Sequence, residues 1–350
     1  MKKMSLALAL AAAAVLGVTA CGSASSGGGS SAAEAGGVAQ TPAAESSTGE
    51  PDSSAAQGAD GEKVYQIGVL QYVQHPALDK ANEGFVAALD EAGIRCELEQ
   101  QNAAGDQSAC QTIATKLVND RKDLILAIAT PAAQAVAGQT TEIPVLVTAV
   151  TDPADAKLVA SNDAPGGNVT GSSDLTPVKE QIALLKQILP ETQTVGVLYC
   201  SAESNSILQA EMAKAACEAE GMTTVKLPIT ASNEIQTVVQ SAVSKVDAIY
   251  TPTDNMVAAG MTTVAMVAND NKIPVICGED GMVESGGLCT YGIDYYQLGY
   301  ICGEQAVKIL TEGAKPAEMP IEYLPAEKCS FSYNEDTAAL LGLDLTGFAK

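Results

Sequence analysis

The chain has 350 residues, with 19 Lys and Arg set against 42 Asp and Glu for a formal charge of −23. That acidity argues against nucleic acid as a partner, because affinity for phosphate backbones rests on a basic surface; its simpler role is to keep an exported chain soluble. A single histidine, His75, and cysteines without CxxC or zinc-type spacing leave little material for a metal site or a Ser-His-Asp triad, so no metal and no cofactor is expected.

In chain order, Lys2 and Lys3 precede an apolar run that stops at Cys21. This is the layout of an export signal, and the run is too short to read as a permanent span. Val18, Thr19, Ala20 and Cys21 resemble a bacterial lipobox, which implies removal of residues 1–20 and lipidation of Cys21 as a membrane anchor. An ordinary signal peptide cleaved near Ala20 is the alternative. Residues 21–62 are Gly, Ser, Ala and acid and cannot bury enough apolar surface to offset chain entropy. They read as a disordered tether of about 40 residues, spanning on the order of 35 Å. About 290 residues then remain, more than one core usually holds, which predicts two domains or lobes.

That remainder carries the same pattern twice. Tyr65 to Tyr72 is an apolar, strand-like run followed by a helical pattern through Phe85, Ala88 and Leu89 that stops at Gly93. Val195 to Cys200 is its counterpart, followed by a helix with Ile207, Met212 and Ala216 that stops at Gly221. Next, helical Ile113 to Val118 leads into Leu124 to Ala129 and Thr130-Pro131, as Val238 to Val243 leads into Ala248 to Tyr250 and Thr251-Pro252. Glu142 to Val147 is answered by Lys272 to Cys277. Each half reads β-α-β-α-β, and alternation of this kind demands a parallel sheet covered on both faces. One continuous dinucleotide-type sheet would need a G-x-G-x-x-G turn after Leu70 or Leu198, and neither is present. The expected fold is therefore α/β, with two doubly wound parallel-sheet lobes. Cys200, Cys277 and Cys289 fall in apolar strand-like runs, where a free thiol behaves as a small buried hydrophobe; disulfide pairing stays open.

The stretches GVLQYVQHPALD, AIATPAAQAVA, AVTDPADAKLV, PGGNVTG, YCSAESNS, VDAIYTPTDN and GIDYYQLG, in that order from Val64 to Leu324, resemble those of ABC-transporter substrate-binding lipoproteins of the type I periplasmic-binding-protein fold. They are similar in particular to the branch whose ligands include aromatic amino acids. The resemblance implies a monomer that captures a small solute by hinge closure and presents it to an ABC permease and its ATPase subunit. It also implies three crossings between lobes, near Gly171 to Thr176, Val283 to Tyr291 and Lys315 to Ile321. The lobes are then expected at 63–172 plus 291–317 and at 173–290 plus 318–350.

Ligands of open parallel sheets sit beyond the carboxyl ends of the strands, beside helix N-termini. In the first lobe those ends are Gln71, Tyr72 and His75; Thr130, Pro131 and Ala132; and Thr148, Ala149 and Asp152, with Ser172 at the first crossing. Thr130-Pro131 reads as an N-cap followed by Pro at the first helical position, either capping its own helix or facing a ligand carboxylate. In the second lobe the ends are Tyr199; Glu203 to Ser206, with Asn205; Thr251 to Asn255, with Asp254; and Gly278 to Asp280, with Asp294 at the second crossing. A ligand ammonium needs an acceptor such as Asp254, whose other reading is a first-turn acid. Tyr72, Tyr199, Tyr250 and Tyr291 end predicted strands and are the expected source of any aromatic platform, although Tyr suits strands anyway. Arg95 and Arg121 fall away from the predicted cleft, which argues against sugar phosphates and dicarboxylates. Transport energy is expected from ATP on partner subunits, since no Walker-type loop is present. Two rivals remain: a surface lipoprotein that senses the same solute, and an α/β enzyme, for which a G-x-S-x-G elbow is missing.

Overall fold

The short apolar runs of the two halves become the central strands of two separate sheets. The computed structural model describes residues 63–325 and 328–348, so the export signal, Cys21 and the tether lie outside the described residues. The first half runs β1 (Tyr65–Gln71), α1 (Pro76–Glu91), β2 (Cys96–Asn102), α2 (Gln107–Asn119), β3 (Leu124–Ile128), α3 (Thr130–Ala137), β4 (Val145–Val150) and β5 (Val169–Ser173). The second runs α4 (Val178–Ile188), β6 (Thr194–Cys200), α5 (Ser204–Ala219), β7 (Thr223–Ile229), α6 (Ile235–Ala242), β8 (Ala248–Thr251), α7 (Asn255–Ala259), α8 (Met261–Asp270), β9 (Val275–Cys277), α9 (Asp280–Glu284) and β10 (Cys289–Gly292). The chain returns to the first lobe through α10 (Tyr295–Glu312) and β11 (Glu322–Tyr323), and ends on the second with β12 (Ser330–Tyr333) and α11 (Glu335–Leu341).

The first sheet has the order β11-β5-β4-β3-β1-β2, all parallel. The second has the order β12-β10-β9-β8-β6-β7, parallel except for β12, which lies antiparallel on β10. Every residue of β3, β4, β5, β8 and β9 is buried, because helices cover both faces. Each half also contains an edge strand that the sequence reading did not separate. β2 reads CELEQQN and β7 reads TTVKLPI, half-exposed strands without the apolar run that marks a central one.

Three expected boundaries need correction: residue 173, expected to open the second lobe, is the last of β5 in the first sheet. Residues 318–323 are expected in the second lobe, yet β11 pairs with β5 and adds a sixth strand to the first sheet before the chain crosses. Residues 291–292, assigned to the first lobe, complete β10 of the second. The crossings accordingly lie between β5 and α4, between β10 and α10, and between β11 and β12.

Helix α10 follows the second crossing directly and packs along α1. At their closest approach neither helix has a side chain: Gly84 faces the Tyr296 carbonyl and Gly299 faces the Ala81 carbonyl. Cys110, Cys200, Cys217, Cys277, Cys289 and Cys302 are buried free thiols, as their apolar surroundings imply. No helix among the described residues is long and apolar enough to cross a membrane.

Candidate functional site

The carboxyl ends of the strands in the two sheets face each other across a narrow gap. On the first lobe, His75 precedes α1 in the extended conformation that a following proline enforces, with φ −161° and ψ 162°. Its Nε2 lies 3.4 Å from Asn255 Oδ1 of the other lobe, and its Nδ1 is buried without a partner. At the end of β3 the expected cap is displaced by one residue: Ala129 is the N-cap and Thr130 is the first residue of α3. Ala129 is held at φ +82°, a sparsely populated conformation for a residue with a Cβ, and the Thr130 hydroxyl is left buried and unpartnered. At the end of β4 the pairing with β5 shifts register between Val147 and Val150, and Ala149, at φ +55°, is turned into the gap. Of these two strained non-glycine residues Ala149 lines the gap itself, where bulges and strain commonly serve a site.

On the second lobe, Asp254 caps α7 through Val257 N–H at 2.8 Å and also accepts Cys200 N–H at 2.5 Å. Glu203 precedes α5; its Oε2 accepts Asn255 Nδ2 at 2.5 Å and Asn205 Nδ2 at 3.4 Å, while Oε1 has no partner. Asn205 also donates to Ser206 Oγ at 3.2 Å and keeps an unpartnered Oδ1. Gln209 reaches from α5 to Thr253 Oγ1 at 2.7 Å and across the gap to Thr151 Oγ1 at 3.1 Å. Gln107 Nε2 to the Ala202 carbonyl at 3.2 Å and Lys80 to Glu284 at 2.9 Å also join the lobes.

The enclosed space between these walls is lined by His75, Leu78 and Ala149 from the first lobe, Asn205, Thr253, Asp254, Asn255, Ala258 and Glu279 from the second, and Asp174 and Tyr295 from the crossings. Its free volume is about 10 Å³, close to the minimum for one water, so a larger solute enters only when the lobes part. Neither Lys nor Arg is among the lining residues. Burial pushes the carboxyls of Asp174 up to about 6 and of Glu279 up to about 8, and it lowers His75 to about 4. Glu203 and Asp254 are raised too, by burial and, for Glu203, by the charge of Asp254.

These shifts set a pH dependence for the ligand-free protein. Above about pH 4.5 the unfolded chain has released protons that the folded acids retain, so stability falls as pH rises toward 8. His75 acts oppositely between about 4 and 6.5, where the unfolded chain takes a proton that the folded one refuses. Above 6.5 the acids act alone. Urea melts are expected to show a loss of about 1–2 kcal/mol between pH 6.5 and 8; unchanged or rising stability over that interval would contradict the arrangement.

The sequence-predicted residues divide cleanly. His75, Ala149, Asn205, Asp254 and Asn255 line the gap, with Glu203 and Ser206 directly behind. Thr130, Pro131 and Ala132 are buried in the first turn of α3. The others are not brought to the wall. Gln71 ties the loop after β1 to α1 through Val73 O and Asp79, and Tyr72 donates to the Gly105 carbonyl. Thr148 and Ser172 bond each other beneath α10, at 2.9 Å. Asp152 caps its own turn through Ala154 and Asp155 N–H. Tyr199 and Tyr250 are in the second core and Tyr291 stacks edge-on against Phe331, so the expected platform of strand-ending tyrosines does not form. Asp280, bonded by Ser332, and Asp294, capping α10, instead line an adjoining groove of about 670 Å³ on the hinge side, which shares Glu279 and Tyr295 with the gap.

That groove is larger, yet several of its polar groups are already served: Lys80 by Glu284, Asp280 by Ser332, and Asn334 by Thr337 N–H and the Val283 carbonyl. The interlobe gap, by contrast, brings the unpartnered buried atoms His75 Nδ1, Asp174 Oδ1 and Asn205 Oδ1 into one lining. Thr253 and Glu279 lie there too, inside the strand-end stretches 251–255 and 278–280 that the sequence points to, whereas sequence reasoning missed Asp174 and Tyr295.

Comparison with known proteins agrees with this geometry. The family described as ABC transporter substrate binding protein matches residues 66–345. A tyrosine-binding protein of Clostridioides difficile is 41% identical over 288 residues, covering 81% of this chain and 83% of that protein. The solved ABC domain from Streptococcus pneumonia in complex with L-Trp is 40% identical, with a TM-score of 0.78 over 81% of this chain and 96% of that one. The ligand-free, open structure of a substrate binding protein with adhesive properties from Clostridium difficile is 42% identical, but its TM-score is 0.63 over 82% of this chain and 98% of that one. Two parallel-sheet lobes, a polar gap at their strand ends and a match over most of the described residues place this chain in the ABC transporter substrate-binding protein family.

Proposed function

We propose that the chain is the extracytoplasmic, lipid-anchored binding component of an ABC importer, that it closes on an amino acid with an aromatic side chain, and that it offers the closed form to a permease driven by an ATPase subunit. The observation that carries this reading is the concentration of unpartnered buried polar atoms at the gap: His75 Nδ1, Asp174 Oδ1 and Asn205 Oδ1 on the wall, with Glu203 Oε1 behind. Buried polar groups are nearly always satisfied, so a cluster of exceptions calls for a ligand. Acids with no accompanying Lys or Arg call for a cationic one, which the ammonium of an amino acid supplies.

The aromatic class rests on the two relatives whose ligands are tyrosine and L-Trp. Closure is supported by the superposition, which at similar identity favours the L-Trp complex over the open, ligand-free protein. The ligand drives closure only through its better fit to the closed state. The site is read as a binding site with no turnover of the solute, in keeping with a family of substrate-binding proteins.

A thermal-shift screen of amino acids, sugars, nucleosides and dicarboxylates tests the class. An aromatic amino acid at about 100 times its dissociation constant adds about 2.7 kcal/mol, which raises the melting temperature by roughly 5–10 °C. A rise with a sugar or nucleoside and none with any amino acid would sink the proposal.

A further inference from the structure

We infer that Asp174, at the first crossing between the lobes, is the residue that receives the ammonium group of the bound amino acid, with Tyr295 as its positioning partner; the assignment rests on the function proposed above. Four buried carboxylates surround the gap, and their existing bonds separate them. Both oxygens of Asp254 already accept backbone N–H groups, from Cys200 at 2.5 Å and Val257 at 2.8 Å. Both oxygens of Glu279 do the same, from Gly281 at 2.5 Å and Met282 at 2.9 Å. These two acids are helix caps, and turning either toward a ligand would orphan the amides it serves. Glu203 has a spare oxygen but stands behind Asn205 and Asn255, outside the lining.

Asp174 differs on each count. It lines the gap at 4% exposure; its Oδ2 accepts the Tyr295 hydroxyl at 2.7 Å, and its Oδ1 has no partner. Its carboxyl is raised by burial only to about 6, whereas Glu279 is raised to about 8, so Asp174 holds the negative charge at neutral pH. A cation at Oδ1 offsets the cost of that buried charge.

The placement also links binding to motion. Asp174 lies just after β5, on the first crossing, and Tyr295 opens α10 just after the second. An ammonium held by this pair is therefore gripped by two of the three connections about which the lobes turn. Ligands without an ammonium forgo that grip.

The test is calorimetric titration of the purified protein, Asp174→Asn and Tyr295→Phe with L-tyrosine and with its deaminated counterpart, para-hydroxyphenylpropionate. The wild type is expected to prefer L-tyrosine. Asp174→Asn loses roughly a hundredfold in affinity for L-tyrosine and keeps its affinity for the deaminated acid. Tyr295→Phe loses about tenfold, again for the ammonium ligand alone, a selectivity that mere structural damage would not produce. If Asp174→Asn has no cooperative melt, the ratio of the two ligands on Tyr295→Phe decides. Retention of wild-type L-tyrosine affinity by Asp174→Asn, or an equal loss for both ligands in either variant, overturns the assignment while leaving the proposed function standing. A wild type that binds neither L-tyrosine nor L-tryptophan overturns the function itself.

Discussion

Replacing Gly299 by alanine is expected to destabilise the protein by about 3 kcal/mol or more, a fall in melting temperature of roughly 10 °C. In most helix interiors the same change stabilises by about 1 kcal/mol, because glycine is the more costly residue to order. Here the added Cβ would overlap the carbonyl of Ala81, and Gly84 meets the Tyr296 carbonyl in the same seam. Backbone cannot rotate aside as a flexible side chain can, so α10 must move away from α1. Because α10 opens with Tyr295, the gap wall moves with it, and ligand affinity should fall alongside stability. Thermal melts with and without ligand check both effects; a Gly299→Ala protein as stable as the wild type would show that the two helices do not touch as described.

Truncating Asp254 to alanine is expected to cost about 3–5 kcal/mol, from a lost cap and from buried donors left without an acceptor at about 1–3 kcal/mol each. Those donors are the N–H groups of Cys200 and Val257, joined by the Ser206 hydroxyl. Asp254→Asn keeps one acceptor oxygen and should lose about half as much. Urea denaturation of the two variants measures this directly. Asp254 is thus assigned chiefly to holding the second-lobe wall together, and Asp174 to holding the ligand. An Asp254→Ala protein with wild-type stability and no ligand binding would reverse the two roles.

The contrast shows what a sequence carries and what it does not. The central strands were legible because burial on both faces leaves an unbroken apolar run, as in β3 and β8. The edge strands β2 and β7 were not, since a half-solvated strand resembles a polar loop in composition. His75 and Asn255 were found because strand ends and helix starts are local features. Asp174 and Tyr295 were missed because their meeting depends on where the chain crosses between lobes, a long-range property that β11 alters by adding to the first sheet. A Thr-Pro pair reads as a cap, yet the strained turn at Ala129 starts α3 one residue earlier. The strand-ending tyrosines point into cores or clasp loops because an alternating strand gives no hint of which sheet face a large ring will fill.

The most direct measurement is a crystal structure of the protein grown with L-tyrosine or L-tryptophan. One molecule is expected between the lobes, touching His75, Asn205 and Asn255, with its ammonium nitrogen within hydrogen-bonding distance of Asp174. A ligand seated only in the hinge-side groove beside Asp280 and Asp294, with the interlobe walls untouched, would contradict it.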